Sequence, residues 1–264
     1  HLKPAVGEPQ PVGAAIVNHL FPDGADGRIP IVGVCGSRGK TMIAGLVTHL
    51  LQLTGTKVGL ACSHGAYFNQ RLQTPGNCAN WTSGNRILLN RQVEAAVFEN
   101  DIRSILNEGL AYDRCSVGIV SSLDVNDTAP ESSITEPEQI YNVMRTQVDV
   151  VLPNGTAVLN ADDERIATMA ELCDGDVMYF SRHGQNEICR QHLEQGQCVV
   201  YANNQGIVLA RGQDRQHLIN LSAIPVLQSS SKTHALENVL AAIGAAWALN
   251  IPKDVITAGL QTYH

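Results

Sequence analysis

Gly36-Ser37-Arg38-Gly39-Lys40-Thr41 stands between a short apolar run and an amphipathic one, and no other stretch restricts the fold as much. Ile29-Pro30-Ile31-Val32-Gly33-Val34 before it is β-branched and bounded by turn formers, the pattern of a buried strand. Met42–Leu53 after it sets Ile43, Leu46, Val47, Leu50 and Leu51 on one helical face. A glycine turn between strand and helix lets successive N–H groups and the helix N-terminus face phosphate oxygens. Lys40 then brings positive charge to the β- and γ-phosphates, and the Thr41 hydroxyl is a candidate Mg²⁺ ligand. The longer phosphate-loop pattern needs a further glycine where this chain has Val34, so the motif is the shorter G-x-x-G-K-T. The alternative is an ordinary glycine turn with a surface lysine. Strand and helix on either side favour phosphate binding.

Further strands are expected at Lys57–Ala61, Val93–Phe98, Ser116–Ser121, Thr156–Leu159 and Asp176–Phe180, with a helix over Glu164–Leu172. Strands alternating with helical segments imply an α/β, doubly wound, mostly parallel sheet with the phosphate loop at its C-terminal edge. From Glu187 to Val226 the pattern changes. Cys198–Tyr201 and Ile207–Ala210 flank Ala202-Asn203-Asn204-Gln205-Gly206, a hairpin signal, which predicts a small separate antiparallel β insert at about 187–226. Two helices follow, Ala235–Leu249 and a second from Pro252 to Leu260. Residues 1–28, rich in Pro and Gly, read as a lead-in segment and linker with one helix at Ala14–Phe21, and residues 29–264 as one nucleotide-binding domain.

With 264 residues, 44% of them hydrophobic and 16% charged, the chain can bury a sizeable core and is not a disordered one. No apolar run reaches the ~18 residues needed to cross a bilayer. His1–Gly13 shows neither a basic nor an apolar signal region, so the expectation is a cytoplasmic protein with no membrane partner. A net charge of −7 argues against nucleic acid as the main partner. The seven cysteines show no C-x-x-C spacing and read as small buried hydrophobes in a reducing compartment.

Several further blocks fall in order along the chain: Leu20-Phe21-Pro22, Ala95-Ala96-Val97-Phe98-Glu99, Glu108-Gly109-Leu110, Asp113-Arg114-Cys115, Ala157-Val158-Leu159-Asn160-Ala161-Asp162-Asp163 and Glu237-Asn238-Val239-Leu240-Ala241-Ala242. With Arg28–Leu53, they resemble the central ATPase domain of Mur-type amide ligases, whose loop usually reads G-T-N-G-K-T-T. The wider pattern is most similar to the Mur-ligase-like part of cyanophycin synthetases and covers nearly the whole chain. The resemblance implies binding of ATP and Mg²⁺, phosphorylation of a carboxylate, and attack by an amine on the acyl phosphate. By position it implies that Gly36, Ser37, Arg38, Gly39, Lys40 and Thr41 hold the phosphates. It further implies that Thr41, Glu99 and Asp127 ligate the metal, and that Asp162, His234 and Asn238 lie on the nucleotide side. Taken alone, Glu99 and Asp162 read equally well as helix-capping carboxylates, and His234 as a surface residue at a helix start.

Departures from the family pattern fall on catalytic positions. Arg38 and Met42 stand where Asn and a second Thr are usual, and Asn100-Asp101-Ile102-Arg103-Ser104 replaces T-A-R-G-G. Ser122-Leu123-Asp124-Val125-Asn126-Asp127 replaces N-V-S-E-D-H, so Asp127 stands in place of a metal-binding imidazole. Lysines expected near the acyl phosphate read Asn142 and Met144. The C-terminal domain with which such ligases close on ATP has no counterpart in these 264 residues. The chain is also similar to a form of cyanophycin synthetase that polymerises β-aspartyl-arginine dipeptides through a separate ATP-grasp domain, its Mur-like region being short and idle. Three readings follow. The chain is an idle Mur-like module with a structural role in a homo-oligomeric ligase, whose other domains meet the amino-acid or β-aspartyl-arginine peptide substrate. Alternatively it is a working MgATP-dependent ligase domain whose lid lies elsewhere, or a nucleotide-binding regulatory module.

Overall fold

The computed structural model describes residues 12–22, 27–124, 136–228 and 234–263. Ile31–Cys35 (β1) is buried at every position and runs parallel between Cys115–Val120 and Ala95–Glu99. A strand covered on both faces needs continuous apolar character rather than alternation, and Ile-Val-Gly-Val-Cys supplies it. In chain order the strands are Ile31–Cys35 (β1), Val58–Cys62 (β2), Gly65–Phe68 (β3), Arg71–Pro75 (β4), Ala95–Glu99 (β5), Cys115–Val120 (β6), Val151–Asn160 (β7), Asp176–Ser181 (β8), Cys198–Ala202 (β9), Ile207–Arg211 (β10) and Asp214–Ile219 (β11). They form one sheet in the order β11-β10-β9-β8-β7-β6-β1-β5-β2-β3-β4. Strands β9 through β2 of that order are all parallel. The outer pairs β10 with β11 and β3 with β4 run antiparallel at the two margins.

Helices cover both faces. The helices are Val12–Leu20 (α1), Lys40–Leu53 (α2), Trp81–Leu88 (α3), Ile102–Glu108 (α4), Pro137–Asp149 (α5), Glu164–Thr168 (α6), Glu187–Glu194 (α7), Pro225–Gln228 (α8), Ala235–Ala248 (α9) and Lys253–Thr262 (α10). Val32 and Val34 point to the side of α2 and α9, where Leu46, Leu50, Leu240 and Ile243 pack against Val158 and Phe180. Ile31 and Cys35 point the other way, with Leu159, toward Ile140, Met144 and Ile166. Each such side chain removed from water contributes roughly 1.5–3 kcal/mol, so these two layers rather than surface ion pairs hold the sheet.

The separate antiparallel insert expected at about 187–226 needs correction on two counts. Glu187–Glu194 is helical, with Asn186 as its cap accepting the Cys189 N–H. The strands beyond it are not separate, because β9 pairs in parallel with β8 from Met178↔Cys198 to Ser181↔Tyr201. The hairpin at Asn203–Gly206 thus extends the main sheet. The helix expected over Glu164–Leu172 also divides, α6 passing into a 3-10 turn at Met169–Leu172. Among the described residues no helix is long and apolar enough to cross a membrane.

Candidate nucleotide-phosphate site

At β1 the connections change direction: the chain crosses to β2 on one side, returns through β5, and leaves for β6 on the other. Open α/β sheets take ligands in the crevice that such a reversal leaves at the strands' C-terminal ends. The loop Gly36–Thr41 lies there, between β1 and α2. Gly39 precedes the helix with φ 80°, in the left-handed region, and makes no side-chain cap. A Cβ at Gly39 would overlap the Asn238 amide, and one at Gly36 would overlap Ser121 Oγ. Both glycines also sit at positive φ, where any side chain is strained.

The end of β6 clamps the first half of the loop. Ser37 N–H donates to Ser122 O at 2.9 Å, and Arg38 N–H donates to Ser122 Oγ at 2.9 Å. Asp124 N–H donates to Ser37 Oγ at 2.8 Å, and the Arg38 guanidinium pairs with the Asp124 carboxylate at 2.8 Å. Arg38 therefore turns its charge toward Asp124. The second half is different. Among the described residues, the N–H groups of Gly39, Lys40, Thr41 and Met42 meet no protein acceptor, as the first turn of a helix leaves them. Lys40 Nζ donates to Gly36 O at 2.8 Å and lies 3.8 Å from Asp101 Oδ1.

Thr41 Oγ1 is 2.9 Å from Ser63 Oγ, and Ser63 N–H donates to Glu99 Oε2 at 2.9 Å. Glu99 is buried at the end of β5, and no described residue donates to its other carboxylate oxygen. It is not a helix cap, since Asp101 caps α4 by accepting the Arg103 N–H. Hydroxyl and carboxylate oxygens thus gather beside the loop, the donor type a hard cation prefers. Among the described residues no group of three His, Cys, Asp or Glu could hold a metal by itself. Magnesium characteristically takes one or two carboxylates plus phosphate oxygens, and the residues here fit that mode. Ser63 was not anticipated, because its place beside Thr41 depends on strand order. Asp127 lies outside the described residues.

The three residues expected on the nucleotide side divide. Asn238 touches the loop, its Nδ2 donating to Met42 Sδ at 3.4 Å. Asp162 accepts Ser181 Oγ–H at 2.6 Å, Arg182 N–H at 2.8 Å and Asn186 Nδ2 at 3.2 Å. That carboxylate braces the ends of β7 and β8, while the neighbouring Asp163 caps α6. Arg182 Nε reaches Glu237 Oε1 at 3.1 Å, and His234 Nδ1 is 3.1 Å from Glu237 Oε2. Asp162 and His234 are therefore the two ends of one polar chain along the rim.

Beneath the loop, Asn100 Nδ2 donates to Tyr112 Oη at 2.7 Å and to Gln147 Oε1 at 2.6 Å. Burial pushes the Tyr112 hydroxyl well above the usual phenol range, so this network is neutral and structural. Met144 is fully buried in the core, and Asn142, exposed, carries no charge.

Residues 34–246 match the family model of the Mur ligase middle domain. The cyanophycin synthetase of Nostoc sp. is 32% identical over 263 residues, which is 100% of this chain and 29% of the relative. That of Crocosphaera subtropica is 34% identical over 264 residues, 100% of this chain and 30% of the relative. The chain spans less than a third of the length of these curated relatives. Among solved structures, a UDP-N-acetylmuramoyl-L-alanyl-D-glutamate–2,6-diaminopimelate ligase superposes with a TM-score of 0.65 at 13% identity, over 96% of this chain and 49% of the other. At that identity the likeness is one of fold.

Proposed function

The chain belongs to the Mur ligase middle-domain family, and from that premise we propose that it is the Mur-ligase-like module of a cyanophycin-synthetase-type, ATP-dependent amide ligase. Its loop holds the phosphates of MgATP, and amide formation runs in other domains of the protein. One contrast carries this reading. The loop offers four N–H donors, a lysine and two glycines at positive φ, whereas the lysine positions that the family resemblance puts on the acyl-phosphate side hold exposed Asn142 and core-buried Met144.

In this proposal the N–H groups of Gly39–Met42 and Lys40 Nζ take the β- and γ-phosphate oxygens, and Asn238 and the rim residues border the nucleoside. Thr41 and Glu99 face the cation, with Ser63 orienting both. Bound magnesium would neutralise charge on the phosphoryl oxygens. The amino-acid or β-aspartyl-arginine peptide substrate is met by other domains of a homo-oligomeric, cytoplasmic protein.

Thermal unfolding with and without MgATP tests the loop. Ligand at ~100 times its dissociation constant adds about 2.7 kcal/mol to stability, a rise of roughly 5–10 °C for a domain of this size. Lys40→Ala is expected to abolish the rise. A wild-type melting temperature that does not move in saturating MgATP would overturn the proposal.

A further inference from the structure

Asp101 faces the phosphate-binding lysine from the end of β5. Its Oδ2 accepts the Arg103 N–H at 3.1 Å as the cap of α4, which aims Oδ1 at Lys40 Nζ, 3.8 Å away. Swinging the carboxylate aside would uncap the helix. Lys40 is 13% exposed and Asp101 38%, so the pair is partly shielded from water. A phosphate arriving at the N–H groups of Gly39–Met42 must share Lys40 with an acid of its own sign.

Resting on the phosphate-site reading of Gly36–Thr41, we propose that Asp101 is a positioning residue that sets which polyphosphates the loop accepts. Its carboxylate holds Lys40 as a counter-ion, so a bare polyanion must compete with Asp101 for the ammonium. A polyphosphate that carries Mg²⁺ has part of its charge neutralised and depends less on Lys40. A charge–charge contact at about 4 Å changes a binding constant roughly fivefold in water and about a thousandfold near a protein surface, so the competition weakens a bare polyanion by about tenfold or more, and pairing with a divalent cation reduces that factor. The site therefore selects the magnesium complex over the free anion.

The test is calorimetric titration with metal-free tripolyphosphate and with MgATP, using wild type, Asp101→Asn, Lys40→Ala and the double variant. Asn caps helices about as well as Asp, so α4 is retained, and Asp101→Ser gives a second capping replacement. Expected is an affinity gain of about tenfold for tripolyphosphate in Asp101→Asn, a smaller gain for MgATP, and loss of both gains when Lys40 is also replaced. Unchanged or weaker binding in both Asp101 variants overturns the inference, as does an equal gain for the two ligands or a gain that survives without Lys40. In those cases the phosphate site itself stands, provided Lys40→Ala still weakens MgATP binding. Equal MgATP binding by wild type and Lys40→Ala sinks the phosphate-site reading, and this inference with it.

Discussion

Gly39 shows how tightly one position can constrain the site. Its φ of 80° lies where a side chain is strained, and the space a Cβ needs is taken by Asn238. Gly39→Ala is expected to cost about 1–3 kcal/mol of stability and to remove the MgATP-dependent rise in melting temperature. Urea unfolding checks the first, and a loss below ~0.5 kcal/mol would mean the loop relaxes around the methyl group. That Gly36, Gly39, Lys40 and Thr41 share one strand-to-helix loop was legible because the signal is local: a turn, a cation and a hydroxyl at fixed spacing. Ser63 and Asp101 were not, because they reach the loop from β2 and β5, and only the sheet brings those strand ends together. The capping alternatives for Glu99 and Asp162 fell one or two residues short of the actual caps, Asp101 and Asp163.

Among the elements, α7 was the least legible. Only Cys189 and Leu193 of Glu187–Glu194 are buried, too few for an apolar stripe to announce a helix. By contrast α2 and α9 were plain, since each buries a full face. His192 on α7 donates Nε2–H to Val177 O at 2.9 Å and meets the Tyr179 ring edge-on at 4.7 Å between centroids. Burial holds its imidazole below the usual range. The folded state thus favours the neutral ring, and the unfolded chain, titrating near ~6.5, takes up the proton first. This contribution is complete above that value and is lost as pH falls toward the depressed one. The melting temperature is expected to drop between pH 7.5 and 5.5, and less so in His192→Gln. An equal drop in both would mean that other groups set the acid limb.

At the scale of the molecule, alternation of strand and helix was enough to anticipate a parallel sheet with its loop at the C-terminal edge. Strand order was not legible, because β5 inserts between β1 and β2 through contacts distant in sequence. Both antiparallel margins join the same sheet for a related reason: β9 finds β8 as a parallel neighbour, and β3 finds β2 as an antiparallel one. That order brings the Gly36–Thr41 loop together with Ser63, Glu99 and Asp101 at one edge of the sheet. The most direct test is phosphate release from MgATP by the whole protein with β-aspartyl-arginine dipeptide as substrate, wild type against Lys40→Ala. Equal rates in the two are expected, with turnover arising in another domain. A fall of roughly a hundredfold or more in Lys40→Ala, the loss typical of removing a charge-stabilising group from a working site, would show that amide formation runs through this loop after all.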